Sequence, residues 1–410
     1  MNKQLLYNSL LLLFCLLLLF ASSCNSLASF NRENESGFSR VTSQSDDNLD
    51  DNLADKKPGS EKNPDSTPGN GESPTTGGDN KTNGSDEINK ANETNDNVRK
   101  NDNTLEAAPP ELQDPAPNEL GQVMVLMYHE IGYPEGEWRR TPENFRRDLQ
   151  ILFEQGYRAV TLTDLVRGEI NIPAGTSPVV FTFDDGNRGN FNYLEADRGP
   201  VLDPDCAVAI MESFYEENPD FGLTATFFIY YPNPFRQAEY IEKKLNYLVQ
   251  QGFEIGNHTY GHANLREHNS EVIQQELAGH VKTTGEYIPG YKVNSLALPY
   301  GAYPRDPALA VRGSDGDTDY RHEAVLLVGA NPCPSPFHGN FDPYRIPRIR
   351  ASEMNTEGVG LYDWLEYFAD NPHKRYISDG NEYYITAPQP ADINLNKKLV
   401  GNKKVRFFEK

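Results

Sequence analysis

Apolar positions are spread unevenly along the chain. From residue 123 onward, apolar runs alternate with amphipathic stretches. "VMVLMYHEI" (Val123–Ile131) reads as a buried strand. "TPENFRRDLQILFEQGY" follows, with Thr141 placed to cap a helix and Pro142 at its first position. Phe145, Leu149, Leu152 and Phe153 then share one face, and Gly156 ends the helix. Tyr157–Thr161 is a short strand, and "VVFTF" (Val179–Phe183) is another that runs straight into Asp184 and Asp185. Leu223–Tyr231 is β-rich. Residues 238–251 form a helix, with Ile241, Leu245, Leu248 and Val249 on one side and a stop at Gly252. "FEIGNHT" is a strand, and "SEVIQQELAGHVKTT" is a helix with Ile273, Leu277 and Val281 in register. "SLALPYG", "AVLLVGA" and "YRIPRI" add three more strands. "RYISDGNEYYITAP" suggests two short strands around an Asp-Gly turn, followed by a solvated, lysine-bearing end.

Strand alternates with helix, and most strands are continuously apolar, as buried parallel strands are. The pattern predicts an α/β fold whose seven or eight parallel strands close, or nearly close, into a barrel. Reactive groups in such barrels gather at the C-terminal strand ends. His129, Asp184, Asp185, His258 and Tyr300 all fall at those positions.

Composition divides the rest. Residues 25–118 contain two aromatics, Phe30 and Phe38, and carry 19 acidic against 9 basic side chains. Such a stretch cannot bury enough apolar surface to offset chain entropy and reads as a disordered linker. It holds −10 of the chain's −22 net charge. That acidity argues against nucleic acid as a partner. The first 24 residues hold one early lysine, a leucine-rich run to Phe20 and "ASSC". The run is short for a membrane span and reads as an export signal. "ASSC" resembles a bacterial lipobox, with Cys24 as the lipidated residue and Ala21 where leucine is commoner. A head lipid-anchored to the outer face of the cell membrane, on a flexible tether, is the expected arrangement. Cys206 and Cys333 in the head are either a disulfide or two buried thiols.

"EIGNHTYGH" places His258 and His262 four residues apart just after a strand, where both imidazoles can face one point. Two histidines and a carboxylate make a common three-ligand set for a catalytic zinc with an open position. "TFDDG", "HTYGH" and "LPYG", in this order, resemble the first three motifs of the polysaccharide deacetylases of carbohydrate esterase family 4. The resemblance spans roughly residues 123 to 369. "VLMYHEI" is similar to the branch acting on extracellular poly-N-acetylglucosamine and related glycans.

The resemblance implies a distorted (β/α)7 barrel and one divalent metal ion, most commonly Zn2+, with Co2+, Ni2+ and Mn2+ as alternatives. It assigns Asp185, His258 and His262 to the metal and Asp184 to the general base. The backbone N–H of Tyr300 would hold the oxyanion as a metal-activated water attacks an acetamide. It assigns Tyr128, Pro299 and Arg348 to substrate binding. The motif arginine that orients the base in many members is absent, because that position is Ala297; Arg348 in "RIPRI" is the candidate replacement. The usual C-terminal Leu-x-His acid has no convincing copy, which leaves His129 and His338 as candidates. Trp138 and Tyr303 could line a sugar groove or simply pack. "SDGDTD" (Ser314–Asp319) looks like the start of a calcium loop but lacks its glycine and closing glutamate.

The expected organisation is a lipoprotein signal at 1–24, a linker at 25–118, the catalytic domain at 119–372, and a short β extension with a basic tail at 373–410. The expected function is N-deacetylation of peptidoglycan or poly-N-acetylglucosamine, with xylan O-deacetylation a lesser possibility. Its rival is a glycan-binding lipoprotein that has lost turnover. A transporter's solute-binding lipoprotein fits the signal but leaves the metal set unexplained.

Overall fold

A computed structural model describes residues 106–107 and 115–409. Cys24, the signal and most of the linker lie outside the described residues.

The head opens with β1 (Met124–Tyr128), in which every residue is buried. α1 (Pro142–Glu154) starts as the sequence indicates: the Thr141 hydroxyl accepts from the Asn144 N–H, Pro142 leads, and Phe145, Leu149 and Leu152 face inward. β2 (Tyr157–Ala159), α2 (Leu162–Arg167) and β3 (Ser177–Phe183) follow. Then come α3 (Ala207–Glu217), β4 (Thr226–Ile229), α4 (Ile241–Gln250), β5 (Glu254–Asn257) and α5 (Ser270–Tyr287). β6 (Ser295–Ala297), β7 (Ala324–Leu326), β8 (Ile349–Arg350) and α6 (Leu361–Asp370) complete the domain.

All pairings in the main sheet are parallel, in the order β7-β6-β5-β4-β3-β1-β8, with β2 on the free stretch of β3. A parallel bridge between Leu326 and Ile346 brings the segment before β8 onto β7, so the first and last strands of the path meet through that segment. This is the distorted parallel barrel expected from the sequence. The register sets Tyr128 beside Phe183, Phe183 beside Phe227, and Asn257 beside Ile229. Residues just past those positions therefore meet on one rim.

Strand parity sorts the core. Met124, Leu126, Tyr128, Val179, Phe181 and Phe183 pack outward against the helices. Val123, Val125, Val180, Phe228, Ala297 and Leu326 belong to a second, separate cluster. Thr182 and Asp184 continue the parity of Val180, because successive residues of a strand alternate faces. Gly256 makes room for this packing: a Cβ there would lie 2.3 Å from the Phe228 ring.

Several elements differ from the sequence reading. α2, α3 and α6 were not anticipated. The 373–410 segment does not form a hairpin. β9 (Tyr384–Pro388) and β10 (Lys404–Phe408) pair in parallel, and Glu106–Ala107 adds to β10. Val400, Val405 and Phe407 are buried, so the lysine-bearing end is packed rather than free. "SDGDTD" forms the turn of an antiparallel hairpin over Arg312–Asp315 and Thr318–Arg321. Cys206 and Cys333 are both buried free thiols, in different core clusters.

Candidate metal centre

Three loops leaving β3, β5 and β6 build the site. Past Phe183 the chain gives Asp184 and then bends sharply: Asp185 has φ +72° and Gly186 φ +56°. The bend points two consecutive carboxylates to different places. Asp184 stays inside the barrel, where Arg348 grips both its oxygens at 2.7 Å. The same guanidinium donates to the Thr182 hydroxyl at 3.1 Å and, through Nε, to the Leu327 carbonyl at 2.9 Å. Burial raises the Asp184 pKa, but Arg348 and the neighbouring histidines outweigh it and hold the group below the ordinary carboxylate value.

Asp185 turns out to the rim. Its Oδ1 lies 3.4 Å from His258 Nε2 and 3.3 Å from His262 Nε2. One donor atom from each of the three residues falls within 4.8 Å of the others. Burial raises the Asp185 pKa, and the two imidazoles more than reverse that. The other ring nitrogens are also engaged. His258 Nδ1 donates to the Ala297 carbonyl at 2.8 Å, which leaves Nε2 facing Asp185. His262 Nδ1 pairs with the Tyr300 hydroxyl at 3.1 Å. The loop carrying both histidines is tied by side chains: Asn257 Oδ1 accepts from the Thr259 N–H, and the Thr259 hydroxyl accepts from the Ala263 N–H. An imidazole pair with fixed outer nitrogens plus one carboxylate is a donor set suited to a divalent transition metal. The residues present fit such an ion.

The site opens into a cavity of about 670 Å3, lined by His129, Trp138, Arg139, Asp184, Asp185, Asn187, both histidines, Leu298, Tyr300 and Val328, among others. His129 sits across from the carboxylates, with Nε2 4.0 Å from Asp184 Oδ2 and its ring 4.7 Å from that of Trp138. Burial lowers its pKa, and the two aspartates oppose that. Tyr300, at φ +59°, is largely exposed at the mouth.

Residues 171–314 match the family model described as polysaccharide deacetylase. Residues 171–314 carry a polysaccharide deacetylase domain. Three solved structures show similarity to the chain. The deacetylase PplD of Streptococcus pyogenes, in complex with acetate, is 17% identical, covering 60% of this chain and 97% of that one, TM-score 0.43. BC0361, a polysaccharide deacetylase from Bacillus cereus, is 17% identical over 60% and 68%, TM-score 0.43. IcaB from Ammonifex degensii is 17% identical over 59% and 97%, TM-score 0.42.

Around this deacetylase segment several expectations need correction. Tyr128, expected to bind substrate, is buried among Phe145 and Phe183 and donates to Asp148 at 3.1 Å, because strand parity turns it toward α1. Pro299 is buried beneath the turn that presents Tyr300 and does not line the cavity. Arg348 is fully buried and meets Asp184 rather than the open cleft. His338 lies away from the cleft, bridged to Leu395 of the C-terminal segment. Tyr303 donates to the Tyr344 carbonyl and lies outside the cleft, whereas Trp138 lines it. Asn187, Arg139 and Val328 were missed, since Asn187 and Val328 are lone residues in loops and Arg139 sits in a two-residue strand with no pattern around it.

Proposed function

We propose that the protein is a metal-dependent N-deacetylase of an extracellular or cell-wall polysaccharide built from N-acetylglucosamine units. One observation carries the reading: adjacent carboxylates are divided between a buried guanidinium and a pair of imidazoles at the floor of one open cleft. Asp185, His258 and His262 would hold a divalent cation, with zinc favoured by the imidazole-rich set. When bound, that cation supplies Lewis acidity to an acetamide carbonyl and lowers the pKa of a coordinated water.

The chain's own residues do the rest. Asp184, kept ionised by Arg348, accepts a proton from the attacking water. A C–O bond forms at the acetyl carbon, and the C–N bond breaks. The leaving nitrogen needs a proton, and His129 stands across the cleft from Asp184 to deliver it. The N–H of Tyr300, at the mouth, is the donor for the developing oxyanion. Trp138 offers an aromatic surface to a pyranose ring. The products are acetate and a free sugar amine.

Arg348 weighs against the rival binding protein. That rival drew support from the missing motif arginine, and a guanidinium from another strand meets the same carboxylate. The "ASSC" signal supports lipidation at Cys24 and tethering outside the cell, with peptidoglycan or poly-N-acetylglucosamine as the polymer within reach. The test is acetate release from N-acetylglucosamine oligomers and peptidoglycan by chelator-stripped protein, with and without added zinc. Zinc-dependent release that Asp184→Asn lowers by about 10²–10⁴-fold is expected. No release on either polymer, with zinc bound, would favour the binding protein.

A further inference from the structure

The loop after β4, "YYPNPFR" (Tyr230–Arg236), supplies no metal donor, yet it touches both arms of the centre. Arg236 Nη2 reaches the backbone carbonyl of Asp185 at 3.3 Å. The same nitrogen donates to the Tyr230 hydroxyl at 2.5 Å, and the guanidinium lies over the Tyr230 ring, 4.7 Å from its centre. Tyr230 in turn packs its ring against that of His262, with centroids 5.2 Å apart. Nη1 closes back on its own loop at the Asn233 carbonyl. A second tie runs in parallel: the Phe235 N–H donates to the Gly186 carbonyl at 2.6 Å.

The backbone carries the matching signature. Phe235 (φ +60°) and Arg236 (φ +53°) are consecutive non-glycine residues in the left-handed region, and the two metal-centre residues that this loop touches, Asp185 (φ +72°) and His262 (φ +59°), lie there too. Each such residue is strained and persists where its surroundings over-determine it. Phe235 is fully buried, which anchors the loop and aims Arg236 at the site.

We infer that Arg236, acting through Tyr230, is a positioning residue that fixes the carboxylate arm of the metal centre relative to its second imidazole. The inference rests on the metal-centre reading above. Asp185 follows the end of β3 and His262 lies in the loop after β5, so no strand pairing sets the distance between their donor atoms at the rim. Arg236 spans that gap with one planar group. It fixes the peptide of Asp185 from one side and, through the Tyr230 ring, the face of His262 from the other. Outer-shell groups of this kind tune metal affinity without touching the ion.

The experiment is zinc affinity of the full chain by competition with a chromogenic chelator, alongside thermal unfolding of the metal-free proteins. Arg236→Ala is expected to weaken zinc binding by about 10-fold or more. Arg236→Lys should recover part of the loss, because an ammonium satisfies one acceptor but not the planar pair. Tyr230→Phe, which keeps the ring and loses the hydroxyl, should weaken binding by a smaller factor. The metal-free midpoints should stay within about 3 °C of the parent. Zinc affinity within twofold of the parent in both Arg236→Ala and Tyr230→Phe would overturn the inference. A fall in the metal-free midpoint of Arg236→Ala with unchanged affinity in Tyr230→Phe would overturn it too, by assigning Arg236 to loop packing. A parent protein that takes up no zinc would remove the metal-centre reading itself, a different failure from either.

Discussion

Asp184 and Asp185 share a peptide bond and differ in how their charge is held. The Asp184 side chain is 2% exposed, inside the barrel, against a guanidinium that is itself fully buried. The Asp185 side chain is 23% exposed, at the rim, against two imidazoles. Glu119 shows the third possibility. It is buried at the junction with the C-terminal strands and accepts from the Thr386 N–H and the Tyr376 hydroxyl. Among the described residues no cation is bonded to it, and burial, then the nearby Asp379, push its pKa up to about 8. Asp184 is buried at least as deeply and moves the other way. The difference is Arg348. A buried carboxylate stays ionised at neutral pH when a fixed cation matches it, and takes up a proton when hydrogen bonds alone must serve.

The comparison can be broken at Arg348. Arg348→Met leaves Asp184 buried and unpaired, and about 3–5 kcal/mol of stability should be lost in urea unfolding. Adding Asp184→Asn should return much of that loss. A loss under 1 kcal/mol would mean that the pair is not what holds Asp184. The source of the cation can also be moved. Ala297 is fully buried on β6, so Ala297→Arg alone puts a second guanidinium into a filled interior. It should destabilise by about 3 kcal/mol or more. Ala297→Arg with Arg348→Ala should recover at least half of that if one guanidinium can replace the other. Equal stability of single and double variants would contradict this.

Smaller effects sharpen the contrast. Gly256→Ala pushes on Phe228, over whose ring Arg348 lies at 5.9 Å. We expect a cost of about 1–3 kcal/mol in chemical unfolding. Activity should fall further than zinc affinity, because the Asp184 side is disturbed first. A pH-dependent effect concerns Glu119. Its pKa is raised on folding, so its contribution to stability is complete below its ordinary value of 4.5 and is lost as pH rises through about 8. The melting midpoint of the parent relative to Glu119→Gln should therefore fall between those pH values and level off above them. A flat difference across that range would contradict the assigned shift.

The divided carboxylates were legible as chemistry before they were legible as geometry. Asp184, Asp185, His258, His262 and Tyr300 sit in short contiguous motifs at the ends of apolar runs, and the register of the sheet gathers such ends. Arg348 could be named only as an arginine on another strand. What selects it is inward parity inside the barrel, and sequence does not show which strand will be its neighbour. Tyr128 failed for a related reason. Every residue of β1 is buried, so the run lacks the polar-apolar alternation that would say which face meets the helices. α2 is six residues, fewer than two helical turns, and α3 opens apolar nearly all round. The parallel pairing of β9 with β10 requires a crossover that no turn motif announces. His129, Glu130, Gly136, Trp138, Arg139 and Val328 all lie outside the matched segment 171–314, so about half of the cleft lining comes from segments that the family match does not reach.

The most direct test is the metal content of three purified proteins after dialysis against zinc: the parent, Asp184→Asn and Asp185→Asn. The division of labour between the two carboxylates requires one zinc per chain in the parent, one in Asp184→Asn, and a strongly reduced content in Asp185→Asn. Loss of zinc from Asp184→Asn with retention in Asp185→Asn would reverse the assignment and contradict the account.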